Sequence, residues 1–290
     1  MTDIDLQSVR VAYARQILAL AEAADDSALQ DAFRTVPREA FLGADRWHIF
    51  DFRRGSIPLA ENDPIYAYQN VLFVLQPARG VNNGEPALHA RLIHALAPVP
   101  GQRVVHLGAG TGYYTAILAH LVGPDGSVTG VEFDPDLADR ARRNCVAIPN
   151  ITIMHGDAER WPQDEIDRVY VNFSVSEPSE RWLDHLATGG RLVFPLGVSM
   201  GASYQSPGYS RGGALAIERV GDQFKAAHIC PAFFIGREGA DDPEAAERLR
   251  KAFRSPGLEF VKSLVWKKPA DSARCWLSSS KWSLSYDLVH

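Results

Sequence analysis

Cysteine is scarce. The 290 residues hold three, Cys145, Cys230 and Cys275, with no CxxC and no paired spacing. That pattern excludes a disulfide framework and a cysteine zinc cluster, so no metal site is expected, and it fits a reducing cytoplasm. Positive charge is short as well: 30 Lys and Arg against 35 Asp and Glu leave a net charge of -5. The basic pair Lys267-Lys268 beside Pro269 reads as a solvated turn, and no nucleic-acid partner is expected. No uninterrupted apolar run approaches a membrane span. The acidic start, Met1-Thr2-Asp3-Ile4-Asp5, is unlike an export signal, so no membrane partner is expected either. Internal repeats and low-complexity stretches are lacking too. With 46% hydrophobic and 22% charged residues, the chain has the make-up of an ordinary folded protein rather than a disordered one.

The order of elements is more informative. Leu6, Val9, Tyr13, Ile17 and Leu20 recur at helical spacing and predict a first helix with those residues on its inner face. Ser27 is placed to cap a second, short helix carrying Leu29 and Phe33. From Arg46 to Gly84, scattered prolines and glycines predict loops and short strands, and so long a connection commonly covers a site. A helix over Pro86–Leu96 follows, with proline in its first turn. From Gly101 onward, strands and helices alternate. Strands are predicted at Arg103–Leu107, Ser127–Glu132, Ile151–Met154, Ile166–Val171 and Arg191–Pro195. Helices are predicted at Tyr113–Val122, Asp136–Val146 (capped by Asp134) and Arg181–Ala187. This rhythm predicts an α/β fold with a Rossmann-like, doubly wound and mostly parallel sheet. Ala214–Arg219 and Phe224–Phe234 read as antiparallel edge strands joined at Gly221-Asp222. Three segments are expected: N-terminal helices and acceptor-side loops over 1–95, a cofactor-binding core over 96–238, and a helix and strand extension over 239–290.

The chemistry concentrates where the first core strand ends. It runs into Gly108-Ala109-Gly110-Thr111-Gly112, a helix starts at Tyr113, and Glu132 closes the next strand 20 residues after Gly112. In an open parallel sheet, ligands bind beyond the carboxyl ends of strands, where glycines let backbone approach closely and a following acid accepts ribose hydroxyls. A pyrophosphate fingerprint would place its third glycine at 113, which is Tyr here. The spacing therefore favours a nucleoside cofactor without phosphate over NAD, and a nicotinamide oxidoreductase stays as a lesser alternative. Asp157, in His155-Gly156-Asp157-Ala158, stands at the next loop of the same sheet edge, suited to the exocyclic amine of adenine. His106 and His155 read as structural.

These residues also resemble the protein-L-isoaspartate O-methyltransferase family, across about residues 15–235. Val36-Pro37-Arg38-Glu39-Ala40-Phe41 is similar to that family's VPRxxF signature. Pro86-Ala87-Leu88-His89-Ala90, the run Val104–Tyr113, Gly156-Asp157 and Gly189-Gly190-Arg191-Leu192-Val193-Phe194-Pro195 match later motifs in order. The resemblance implies a class I methyltransferase fold, S-adenosyl-L-methionine as methyl donor and S-adenosyl-L-homocysteine as product. It implies a cofactor site of Gly108, Ala109, Gly110, Gly112, Tyr113, Glu132, Phe133, Asp157 and Ala158. A carboxylate is the typical acceptor, and being charged already it needs little acid–base help; no catalytic residue is singled out.

The departures fall on the acceptor side. Where the family has Ser-X-Pro, this chain has Gly84-Glu85-Pro86, and Asn172-Phe173-Ser174 replaces a small-residue stretch. Gly84, Glu85, His89 and Asn172 are the acceptor-pocket candidates. Glu85 would repel an anionic acceptor unless protonated or turned away, so an altered acceptor is expected: a carboxylate or hydroxyl of a small molecule or modified peptide. A cyclase or alkyl-transferase consuming the same donor is the alternative. In the tail, Asp242-Pro243 starts a helix with Ala246, Leu249 and Phe253 on one face. Leu258, Phe260, Leu264 and Trp266 then alternate, as do Trp282, Leu284 and Tyr286. These apolar faces predict packing on the core or a homodimer through the extension.

Overall fold

The structure, a computed structural model, describes residues 5–51, 53–199, 209–237 and 242–289. The first four residues of the acidic start and the expected boundary at 238/239 lie outside the described residues. The chain opens with α1 (Leu6–Leu20) and α2 (Ser27–Thr35). Short strands β1 (His48–Asp51), β2 (Gly55–Pro58), β3 (Val74–Gln76) and β4 (Val81–Asn82) lead to α3 (Pro86–Leu96). The core follows as β5 (Arg103–Leu107), α4 (Tyr113–Val122), β6 (Ser127–Glu132), α5 (Pro135–Cys145), β7 (Ile151–His155), β8 (Ile166–Val171), α6 (Glu180–Asp184), β9 (Leu186–Ser199), β10 (Tyr209–Val220) and β11 (Gln223–Ile235). The tail adds α7 (Pro243–Ala252), β12 (Ser263–Trp266), β13 (Cys275–Ser278) and β14 (Trp282–Ser285).

Among the described residues ten strands form one sheet, in the order β13-β14-β12-β11-β10-β9-β8-β5-β6-β7. The run from β7 to β9 is parallel, and every pairing beyond β9 is antiparallel. This is the predicted α/β methyltransferase-type architecture. In β5, Val104 to Leu107 are all buried, because helices cover both faces of the sheet. Val104 belongs to the core under α1–α4, whereas Val105 and Leu107 belong to the core under α6, α7 and the tail strands. The chain leaves β5 for β6 and β7 on one side and later returns to β8 on the other. That reversal is the crevice where doubly wound sheets hold ligands.

Several elements differ from the sequence reading. The cap of α2 is Asp26, whose carboxylate accepts from the Leu29 N–H at 3.0 Å, and Ser27 is already helical. In α1 the buried stripe is Tyr13, Ala14, Ile17 and Leu18, while Leu20 is exposed at the fraying end. The expected helix Arg181–Ala187 is shorter, and β9 begins at Leu186. Gly189-Gly190 was expected to precede the strand; it sits instead at a register irregularity inside it, between the pairs Ile166–Leu186 and Arg168–Arg191. The tail has three strands where two were expected, β13 being only four residues long with a register irregularity between Cys275 and Leu277 that breaks its period. Its strands extend the main sheet, and Leu249, Trp276, Trp282 and Leu284 are buried in this chain's own core. The apolar faces that suggested a homodimer are therefore consumed within the chain, with Phe260 left exposed. Among the described residues no helix is long and apolar enough to cross a membrane.

Candidate active site

Above the β5 switch point lies a cavity of about 390 Å³, in the size range of small-ligand sites. One wall is made of the loops after β5, β6 and β7. Gly108, Gly110, Glu132, Phe133, Asp157 and Ala158 all line it. Gly110 has φ +57°, and a Cβ built on it would meet nothing within 4 Å, so the absent side chain leaves open room against bare backbone. Glu132 is held by the loop it serves. Its Oε2 accepts from the Gly110 N–H at 2.7 Å and its Oε1 from the Asp134 N–H at 3.0 Å. Each oxygen keeps a second lone pair for a hydroxyl. Burial raises its pKa above the ordinary carboxylate value, against the opposing pull of those two N–H donors. Asp157 caps the short turn Ala158–Arg160 through Oδ1, which accepts from Glu159 N–H at 3.0 Å. The Gly156 N–H donates to the Glu132 carbonyl at 2.9 Å, tying the two acid-bearing loops together.

The opposite wall comes from α3, the irregular segment before it and the end of β11. Gly84, Glu85, His89 and Asn172 line the cavity, with Leu72, Val81 and Phe234. Glu85 is turned aside, its Oε1 accepting from the Asn70 amide at 2.6 Å, while Asn70 Oδ1 accepts from the Ala87 N–H at 2.9 Å and caps α3. Asn172 donates to the Gly108 carbonyl at 3.2 Å and so braces the glycine loop from β8. His89 is buried, stacked on Tyr114 with ring centroids 3.8 Å apart, with Nδ1 2.5 Å from the Tyr170 hydroxyl. Burial first, then the nearby His106 and Arg38, hold its pKa well below the usual histidine value, so the ring is neutral.

Three expected cofactor-site residues do not line the cavity. Ala109 is packed under Gly130, Gly112 faces Cys145 on α5, and the Tyr113 side chain points into the N-terminal core against Phe33 and Phe41. The helix start rotates Tyr113 away from the sheet edge, so the motif's last positions serve packing. His106 is a core residue, its pKa pushed down to about 3 by burial, with Nδ1 2.8 Å from the Thr115 hydroxyl. His155 lies outside, its Nε2 at 3.1 Å from the Phe133 carbonyl. Arg79 and Phe234 were missed. Arg79 bridges to Asp134 and sits in a Pro-Ala-Arg-Gly turn with no local signal; Phe234 reaches the site only through distant strand pairing. Arg38 of the VPR run is fully buried and donates to the carbonyls of Ala67, Gln69 and Val71, each at 2.8 Å, which fixes the loop carrying Asn70. Among the described residues no cluster of three or more His, Cys, Asp or Glu is arranged to hold a metal ion.

A family profile for protein-L-isoaspartate(D-aspartate) O-methyltransferase matches residues 17–207. The chain belongs to this family. Membership sets aside the nicotinamide alternative. A protein-L-isoaspartate O-methyltransferase from Methanopyrus kandleri is 36% identical over 124 residues, 41% of this chain and 55% of that one, so the chain spans about half of that relative's length. A solved protein-L-isoaspartate O-methyltransferase superposes with a TM-score of 0.62 at 23% identity, covering 83% of this chain and 69% of its own. A Plasmodium falciparum structure, described as a protein-L-isoaspartate O-methyltransferase in complex with S-adenosyl-L-homocysteine, gives 0.59 at 19% identity, covering 78% and 97%. At those identities the two structures establish the shared fold. The open backbone at Gly110, the buried Glu132 and Asp157, whose Oδ1 caps the following turn, share one wall of the cavity.

Proposed function

We propose that the chain methylates a carboxylate of the isoaspartyl type, carried on a peptide, using S-adenosylmethionine. The observation that carries the reading is the single cavity that joins the Gly108–Gly110, Glu132 and Asp157 wall to the Gly84–His89 wall. Gly108 and Gly110 would lie under the methionine part of the donor, Glu132 would accept the ribose hydroxyls, and Asp157 would accept the adenine amine through its oxygen not used in capping. When bound, the donor supplies an electrophilic methyl group: a carboxylate oxygen bonds to the methyl carbon as the carbon–sulfur electron pair goes to sulfur, giving the ester and S-adenosylhomocysteine.

No proton moves in that step, so the chain's part is to orient, to exclude water and to keep the acceptor ionised. Leu72, Val81, Leu88 and Phe234 supply apolar wall for this. The neutral Asn70 amide orients the Glu85 carboxylate without offsetting a charge, so the acceptor has to sit clear of that side chain. A small-molecule acceptor has no comparable support. The test is calorimetric titration with S-adenosylhomocysteine, followed by mass analysis of an isoaspartyl peptide incubated with donor. Binding and a base-labile methyl ester are expected. Binding with no ester on the peptide would overturn the acceptor, and release of methylthioadenosine would overturn methyl transfer itself.

A further inference from the structure

The tail builds a second cavity, of about 780 Å³, against α6 and the segment that leads into it. Trp266 and Trp282, both beyond the residues that the family profile matches, line it. The two cavities meet at the end of β11. Arg237 lines both, and Ala158 of the first is followed by Glu159 of the second. Four of the five carboxylates around the second cavity have basic partners: Glu159 pairs with Arg237, Glu180 with Lys267 and Lys281, Asp184 with Lys267, and Asp242 with Arg248. The lining Arg181 donates to the Pro162 carbonyl at 3.3 Å. Glu177 is the exception. It has no basic partner among the described residues; its Oε2 accepts from the Trp282 indole N–H at 3.4 Å, and its Oε1 is uncommitted. Beside it, Ser176 is only 3% exposed, yet its hydroxyl has no partner among the described residues and opens on the cavity. A buried hydroxyl without a partner is costly, so its position calls for a ligand or water. An unpaired carboxylate, a free hydroxyl oxygen and an indole together suit a nitrogen cation, which needs a counter-charge, hydrogen-bond acceptors and an aromatic wall.

Resting on the peptide reading above, we propose that the second cavity takes the cationic side chain of an arginine or lysine that flanks the isoaspartyl residue of the acceptor. Glu177 supplies the counter-charge and Ser176 accepts a hydrogen bond. An extended peptide advances about 3.3 Å per residue, so a chain that leaves the first cavity past Arg237 brings a side chain to the second within a few positions. Glu177 lines the second cavity and not the first, so it selects the acceptor and takes no part in methyl transfer.

The test compares isoaspartyl peptides that differ in one flanking residue, arginine against citrulline, which keeps the shape and loses the charge. The pair is stepped through successive positions on either side of the isoaspartyl residue. At the matching position the arginine peptide should have a KM about fivefold lower or more, with kcat unchanged, and E177Q should bring the two peptides to the same KM. S176A should reduce the preference by less. A second readout uses the full chain, ¹⁵N-labelled at tryptophan and saturated with S-adenosylhomocysteine. The Trp282 indole N–H signal, assigned by its absence from W282F, should move on adding the arginine peptide and stay in place with the citrulline one. Equal KM at every position overturns the proposal, as does a preference that survives in E177Q. A Trp282 signal that answers agmatine alone, with no preference between the peptides, overturns the acceptor as the source of the cation. A wild-type chain that forms no ester on any peptide, while its Trp282 signal still separates arginine from citrulline, supports the cation site and overturns the isoaspartyl reading alone.

Discussion

The two walls of the cavity are built by different means. The donor wall is three successive loops of one parallel sheet, each beginning where a strand ends, and its acids are held by backbone N–H groups two residues on, with the Gly110 N–H of the neighbouring loop added at Glu132. The acceptor wall is assembled from distant pieces: a segment with little regular structure, the first turns of α3, and the far end of β11. Its integrity depends on side chains that span tens of residues, above all Arg38 reaching the carbonyls of Ala67, Gln69 and Val71. A site can thus keep its cofactor wall, fixed by sheet geometry, while the facing wall is rebuilt by exchanging a few long-range contacts.

Perturbing the two walls separately should produce different failures. The largest effect is expected from R38M, which removes three buried hydrogen bonds and leaves carbonyls unpaired. A loss of about 3 kcal/mol or more follows from leaving these carbonyls without their donor, at roughly 1–3 kcal/mol for each that stays buried. Chemical denaturation measures it, and a loss under about 1 kcal/mol would show the clamp to be dispensable. In native conditions S-adenosylhomocysteine affinity should change little, because the hydrogen bonds of Arg38 go to the Ala67–Val71 segment rather than to the loops after β5, β6 and β7.

Next is E132A on the donor wall. Losing charge-assisted acceptors for two hydroxyls is worth about 1.5–3 kcal/mol, roughly a ten- to hundredfold weaker affinity by calorimetry. The same residue sets a pH signature. Binding favours the ionised carboxylate, so affinity is full well above the Glu132 pKa and falls as pH drops through it. Because burial raises that pKa, the fall should begin at higher pH than for an ordinary glutamate, and E132Q should flatten the curve. A wild-type curve as flat as that of E132Q would remove Glu132 from the site.

D157A is expected to cost about 1 kcal/mol, near fivefold in affinity, since one hydrogen bond is lost and water can replace it. The smallest effect belongs to K267A. Its ion pairs with Glu180 and Asp184 lie on the surface, where such pairs add little, and neither stability nor product affinity should move measurably.

The contrast between the walls also explains what the sequence made legible. β5, α4, β6 and β8 follow the predicted bounds residue for residue, because hydrophobic period and flanking glycines are local properties. Glu132 and Asp157 were readable for the same reason: one ends β6 and the other follows β7 by two residues. Arg79 and Phe234 were not, since what brings them to the cavity is an ion pair across 55 positions and a long hairpin. Tyr113 misled because proximity to a glycine loop in sequence says nothing of which way a helix turns its first side chain. The Glu85–Asn70 contact, which orients the Glu85 carboxylate, joins two loops whose packing no local pattern encodes.

One feature of β11 carries a further consequence. Ala214 pairs with Cys230 and the next residue, Leu215, with His228, so Ile229 is one residue too many in its strand. Before it, Phe224 and Ala226 enter the core shared with the tail; after it, Cys230, Ala232 and Phe234 enter the core shared with α3. A strand shows alternate residues to alternate faces, and one extra residue inverts that parity. A single inserted position thus lets one strand serve two masters. Deleting Ile229 would make Leu215–His228 and Ala214–Cys230 consecutive pairs of a regular ladder, with each side chain kept on its present face and the added local twist lost. What one strand shows to two cores is in that sense a matter of counting rather than of side-chain chemistry.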